Sequence, residues 1–433
     1  MQITAPKKVL NGWAMYDWAN SVFNLVITTT FFPIYFTKAT PADITLFGTR
    51  FHNSVLYDYT AALAFLIVAA LSPILSSIAD TRGNKKKFLR FFTLLGSIFC
   101  SALYFFKSSV FGSGESMAVY GLGCFLLSTI GYCGGLVFYN SYLPEIAAPE
   151  DRDRVSAKGF SMGYIGSVLL QLIGFALVVL HAQLGLDEVQ PLLITFLLVG
   201  VWWFGFAQIT FSVLPASKAA AHVHKGNVWK DGFTELKKVG QQVKYLPVLK
   251  RFLSGFFFYS MGVQTVMLAA TFFGDQVLHL SATKLIVTVV IIQLVAILGA
   301  WIMSVLSGKI GNLRVIIIVV LIWIGICIAG YYMQTATDFY ILASVVGLVM
   351  GGIQSLSRST YSKLMPETED TASFFSFYDV TEKLSIVIGM FSFGFIHQLT
   401  HSMRFSVLAL AVFFIIGLAC TIFALQKQKQ LAA

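Results

Sequence analysis

Charge is scarce in this sequence. Asp, Glu, Lys and Arg make up 12% of its 433 residues, where the average soluble domain has about 25%. No polar block long enough to form a soluble domain interrupts its apolar stretches. Cysteine is also sparse: Cys100, Cys124, Cys133, Cys327 and Cys420 all sit in apolar segments, odd in number and without paired spacing. That pattern excludes a disulfide framework and gives no zinc site, so no metal or cofactor is expected. HExxH, a Ser/His arrangement and a phosphate-binding P-loop are missing too, which argues against an enzyme and against direct ATP hydrolysis. What remains is 57% hydrophobic residues and a mean hydropathy of +0.77. The chain therefore reads as an all-α polytopic membrane protein, since a helix satisfies its own backbone in lipid.

A membrane span needs about 20 mostly apolar residues. Twelve stretches qualify: 12–36, 57–79, 88–107, 117–142, 158–181, 191–213, 251–275, 284–306, 315–334, 339–363, 373–396 and 404–426. The first lacks a signal-peptide cleavage pattern and is expected to be retained. One longer connection divides the chain into an N-terminal six-helix half (1–213), a linker (214–250) and a C-terminal six-helix half (251–433). Of the 30 Lys and Arg, 24 fall on one side of the predicted spans and five on the other. By the positive-inside rule both termini are cytoplasmic. The net charge of +10 is thus a topology signal and gives no reason to expect nucleic acid. In the linker, Trp229, Phe233, Leu236, Gly240 and Val243 recur at helical spacing, which predicts an amphipathic helix on the inner membrane surface. A solvated linker helix is the plainer alternative. "HVH" at 222–224 reads as a polar loop before a metal site.

The halves repeat each other. "IADTRGN" (78–84) and "LSGKIGN" (306–312) follow spans 2 and 8, with Gly83 matching Gly311 and Asn84 matching Asn312. "YNSYLPE" (139–145) and "YSKLMPE" (361–367) end spans 4 and 10. Two parallel six-span repeats place a solute site between them near the midplane.

These motifs resemble the major facilitator superfamily. "SSIADTRGNKKKF" (76–88) is similar to its signature between spans 2 and 3: Asp80, Gly83 and the basic run Lys85–Lys87 match, while Ser76, Thr81 and Asn84 depart. Within it the chain resembles the group containing the vacuolar effluxer Atg22 and its bacterial UMF1 relatives. "GWAMYDWANSVF" (12–23), "YSMGVQT" (259–265), "GGIQSLSRSTYSKLMPE" (351–367) and "FYDVTEKL" (377–384) carry that likeness. It departs at Ser260-Met261, where relatives often have Asn-Asp. The resemblance implies a twelve-helix major facilitator fold and amino-acid-like efflux. It also implies that Asp80 faces the cytoplasmic start of span 11, where a helix dipole favours a carboxylate. Asp80 and Gly83 would then gate. Lys85, Lys86 and Lys87 are expected to set topology and meet lipid headgroups.

The polar residues inside spans are candidates for function, since each is costly in lipid. Asn24, Gln171, Gln264 and Gln293 fall at one level near the midplane, and amides suit an uncharged polar or zwitterionic solute. Interhelical hydrogen bonding is their plainer use. Asp379 and Lys383 form an i,i+4 pair, leaving Glu382 to meet Arg358 across the span 10–span 11 hairpin, as a neutral cluster that gates or merely locks the cytoplasmic third. Asp17 has no evident partner. It is a candidate for proton coupling, or else pairs with a base such as Lys158. The expected protein is a monomeric secondary transporter that moves a small solute by alternating access, with protons and membrane lipids as its other partners. A membrane receptor that kept the fold is the alternative, against which the short tails argue. A bacterial inner membrane is favoured over a vacuole.

Overall fold

The computed structural model describes residues 3–46, 48–112, 114–216 and 228–432. Its twelve spans fall into two halves of six. Span 1 is divided into Lys7–Val22, a π-helical stretch Phe23–Phe31 and Phe32–Ala39. Span 2 is Asn53–Arg82, span 3 Lys85–Ala102, span 4 Glu115–Ser141, span 5 Arg152–Val179 and span 6 Gln190–Val213. In the second half, span 7 is Pro247–Gln276, span 8 Ala282–Ile310, span 9 Asn312–Tyr332, span 10 Ala336–Leu364, span 11 Thr371–Thr400 and span 12 Met403–Ala432. Among the described residues, ten unbroken helices are long and apolar enough to cross a membrane; spans 1 and 7 complete the twelve.

The helices run past the apolar limits read from sequence. Span 11, for example, is apolar over 373–396 and helical over Thr371–Thr400. Apolarity marks the bilayer, whereas backbone hydrogen bonding continues the helix into the polar layer. The π-helical stretch has no counterpart in the sequence reading. There the hydroxyls of Thr29 and Thr30 donate to the carbonyls of Asn24 and Leu25, five residues back, both at 2.9 Å. An α-turn would offer the carbonyl four back. A hairpin also joins spans 1 and 2, with Asp43–Leu46 antiparallel to Thr49–His52.

The repeated glycines end helices. Gly83 is left-handed (φ +62°), and Asn84 N–H donates to Ala79 O at 2.9 Å, closing span 2 in a Schellman turn. Gly311 (φ +90°) occupies the equivalent turn after span 8. Both turns lie on the face where span 1 begins and span 12 ends, called here the terminal face.

The apolar core falls into two clusters, one almost wholly from spans 1–6 and one, apart from Tyr164 of span 5, from spans 7–12 with the linker. Spans 2 and 11 and spans 5 and 8 form the seam between them. The linker helix is Val228–Tyr245. Its Val239 and Val243 are buried in the second cluster, and Gly240 faces Phe377 of span 11. That part of the helix therefore packs on protein. The side chains of Trp229 and Phe233, and the "HVH" at 222–224, lie outside the described residues.

Candidate functional site

A cavity of about 300 Å³ lies between the halves. Its floor is an ion pair across the seam. Arg358 of span 10 approaches Asp17 Oδ2 of span 1 with Nη1 at 3.2 Å and Nη2 at 3.3 Å. Nε donates to Ser156 Oγ and Nη2 to Ser156 O, both at 2.9 Å, and Nη1 donates to Asn140 Oδ1 at 3.2 Å. Arginine carries five N–H groups, and here every one has an acceptor in the opposite half. The guanidinium also lies over the rings of Phe160 (4.2 Å), Trp13 (4.8 Å) and Tyr139 (5.4 Å). Tyr139 OH donates to Asp17 Oδ2 at 2.8 Å, and Trp13 Nε1 donates to Tyr139 O at 3.0 Å.

This arrangement corrects two expectations. Arg358 meets Asp17 and not Glu382, because its face of span 10 looks across the seam at spans 1, 4 and 5. Lys158 bonds Asn11, leaving Asp17 to Arg358. The i,i+4 pair does form, with Lys383 Nζ 3.4 Å from Asp379 Oδ1, but the same nitrogen is also 3.4 Å from Glu382 Oε2. Instead of one neutral four-residue cluster there is a neutral pair and, separately, two carboxylates sharing one lysine.

Room for the floor depends on a missing side chain. A Cβ at Gly159 would overlap Asp17 Oδ2 and stand 2.9 Å from Arg358 Nη2. Gly159→Ala is therefore expected to prise the pair apart and cost about 1–3 kcal/mol. Thermal unfolding of the detergent-solubilised protein checks this. Gly205→Ala, where a Cβ meets open space, should leave the midpoint near that of the native protein.

Above the floor, Asn24, Gln264 and Gln293 line the cavity. Each lies seventeen residues from the terminal-face end of its span, a depth of about 25 Å. Gln171 departs from this set. It is buried outside the lining and its Nε2 is 3.4 Å from Thr30 Oγ1, tying span 5 to the π-helical stretch. Arg358, Glu382, Lys383 and Asp17 also line the cavity, whereas Asp379, Asp80 and Gly83 do not.

Below the floor, two locks join the halves. In the first, Asp80 accepts from Ala372 N (3.1 Å), Ser373 N (2.7 Å) and Ser373 Oγ (2.8 Å) at the start of span 11. Lys85 is buried there, 3.0 Å from Asp80, 2.5 Å from Glu145 and 2.6 Å from Thr371 Oγ1. Lys85 is thus part of the lock and not a headgroup contact, a further correction. Lys86 is turned to Leu214 O (2.8 Å). In the second lock, Asp153 at the start of span 5 accepts from Ser307 Oγ (2.8 Å) and Asn312 Nδ2 (2.7 Å), and Lys363 Nζ lies at 2.6 Å. Arg152 Nη1 adds a bond to Ser362 O at 2.6 Å. The loops are equivalent, but the carboxylate sits on the last turn of the helix before the loop in the first lock and on the facing helix in the second. Sequence reasoning missed Asp153, Lys363, Glu145 and Tyr139; carrying the Gly83/Gly311 match through to the partners of each loop could have found the second lock.

Among the described residues, every hydrogen bond and ion pair between the halves comes from the terminal-face side of the spans. The contact farthest from that face is Tyr164 OH to Gln354 Oε1 (2.6 Å), twelve residues into span 5. The cavity continues beyond it to Leu285 and Phe339, near the opposite ends of spans 8 and 10.

Comparison with known proteins gives consistent matches. The model of a family described as "Vacuole effluxer Atg22 like" matches residues 5–433. An uncharacterized MFS-type transporter, YxiO of Bacillus subtilis (strain 168), is 32% identical over 95% of this chain and 94% of its own. Autophagy-related protein 22 of Kluyveromyces lactis is 28% identical, covering 83% of this chain and 77% of its own. Among solved structures, the proton:xylose symporter XylE bound to 6-bromo-6-deoxy-D-glucose superposes with a TM-score of 0.73 at 12% identity, over 97% of this chain and 95% of its own. A bacterial homologue of the iron transporter ferroportin in the outward-facing state gives 0.66 at 13% identity, over 98% of each chain.

Proposed function

Because this chain belongs to the Atg22-like vacuole effluxer family and is a secondary transporter of the major facilitator fold, we propose that it exports a small polar or zwitterionic organic solute by alternating access, coupled to protons. The observation that carries the reading is the cavity itself: amides from spans 1, 7 and 8 line one chamber whose floor is an ion pair between the two moving halves. Amides donate and accept, and so can hold a polar solute without a net charge of their own.

In this reading both termini are cytoplasmic, in a bacterial inner membrane, and the conformation described is the one closed to the cytoplasm. Asp17 couples the proton. As a carboxylate it holds Arg358 and keeps the floor shut. As an acid it loses the charge that draws Arg358 across the seam. A titratable group in a span is a recurrent proton-relay device, and one whose partner lies in the other half links protonation to movement.

Asp17→Asn preserves shape and removes the titrating proton. In proteoliposomes carrying an amino-acid mixture, proton-driven accumulation should fall to background while solute exchange across the membrane survives. Exchange needs no net proton movement, so it separates translocation from coupling. Persistent accumulation in the mutant would make the Asp17–Arg358 pair purely structural.

A further inference from the structure

The charged groups around the cavity do not balance. Three carboxylates line it, Asp17, Glu382 and Asp58, against two bases, Arg358 and Lys383. Asp17 and Arg358 neutralise each other at the floor. Lys383 is divided between Glu382 and Asp379, the latter lying just outside the lining. One Asp379 oxygen, Oδ2, is buried without a hydrogen-bond partner, so that group is short of positive charge. Asp58 makes no ion pair and no side-chain hydrogen bond with any described residue, while its neighbour Tyr57 anchors the turn by donating to Thr28 O at 2.5 Å. The Glu382–Asp379–Lys383 group is therefore one positive charge short, and Asp58 has no counter-ion among the described residues, the two lying on either side of the amide level.

A second observation points to an occupant. Gln293 (8% exposed) and Ser260 (4% exposed) are buried, line the same cavity, and have no side-chain hydrogen-bond partner among the described residues. Buried polar groups are ordinarily paired, and these two open onto the space that a bound solute would fill.

We propose that the cargo carries a cationic nitrogen, with Glu382 as its counter-ion beside the amides and Asp58 drawing it in at the far end of the cavity. This rests on the transporter reading and deepens it. An anionic solute would add to the surplus of negative charge; a solute with a protonated amine offsets it. A cleft with a surplus of one sign of charge between low-dielectric walls also concentrates ligands of the opposite sign. Gln293, Gln264 and Ser260 then bond the uncharged polar atoms of the same molecule.

The test uses three probes of nearly one shape and different charge: 2-phenylethylamine, 2-phenylethanol and phenylacetate. Their binding to the full-length purified protein is followed by thermal stabilisation over a concentration series at constant ionic strength. The amine is expected to stabilise the protein at concentrations where the alcohol and the acid do not. Glu382→Gln should weaken its apparent affinity at least tenfold, or about 1.4 kcal/mol, and leaves Asp379 to hold Lys383. Asp58→Asn, distant from that group, should weaken it less. Equal shifts with all three probes, no shift with any, or an amine affinity unchanged in both variants would overturn the proposal. So would the same stabilisation when the amine hydrochloride is replaced by an equal concentration of sodium chloride, which would assign the site to an inorganic cation. Accessibility of engineered cysteines in the two states tests alternating access without any probe, so the transporter reading stands or falls separately.

Discussion

Arg358→Ala is expected to lower the unfolding free energy by about 3–5 kcal/mol, the usual cost of leaving a buried charge without its partner. The orphan in this case is Asp17, 4% exposed and held otherwise by Tyr139 alone. The loss does not stop at the ion pair. The same substitution strips acceptor bonds from Ser156 and Asn140 and removes the cation from a nest of three rings. Adding Asp17→Asn to Arg358→Ala should recover part of the loss, because it discharges the orphan. Adding Glu382→Gln should not, since Glu382 is not the partner. A double-mutant cycle on unfolding midpoints measures both couplings, and residues in contact deviate from additivity where separated ones do not. A coupling to Glu382 as large as that to Asp17 would contradict the geometry of the floor.

Asp80→Ala and Asp153→Ala together are expected to shift the molecule toward the state open at the terminal face. Asp80 receives two backbone N–H groups and a hydroxyl at the start of span 11; Asp153 receives an amide, a hydroxyl and a lysine. Bonds to charged groups contribute about 1.5–3 kcal/mol each when both partners are buried. Both locks join the same two halves, so with one intact the single mutants are expected to change little and the double mutant to exceed their sum. A cysteine at Ser359, fully buried just below the floor, reports this in a chain freed of its five native cysteines. Its labelling by a membrane-impermeant maleimide from the terminal face should quicken at least tenfold in the double mutant. Unchanged labelling would mean that the locks stabilise the halves without gating them.

The fold was legible because lipid leaves so few options. Twenty apolar residues in a row can be little other than a span, and the 222- and 228-residue offsets between matching motifs already divided the chain in two. The depth of Asn24, Gln264 and Gln293 followed from counting residues along straight helices. Rotation about the helix axis did not. Gln171 lies at nearly the right depth and points away from the cavity, and Arg358 lies at the right depth and points away from Glu382. In a segment that is apolar on every side, no periodic stripe reveals which face looks inward. The π-helical stretch in span 1 was hidden for a related reason: "TTT" at 28–30 is compatible with either helix, and only the chosen carbonyl tells them apart.

The one-sided placement of the polar links between the halves has a bearing on affinity. A ligand that inverts a 1:99 population into 99:1 must bind the favoured state about 10⁴-fold more tightly than the other. Part of the polar link between the halves lies away from the chamber, at Asp80, Lys85, Asp153 and Lys363, and is expected to weigh on the starting ratio. A solute that prefers the alternative conformation must spend part of its binding energy on parting those groups, and its measured dissociation constant will include that work. Loosening both locks should then sharpen the apparent affinity for such a solute with no change to any side chain that touches it. A solute that prefers the conformation described here should bind less tightly after the same two substitutions.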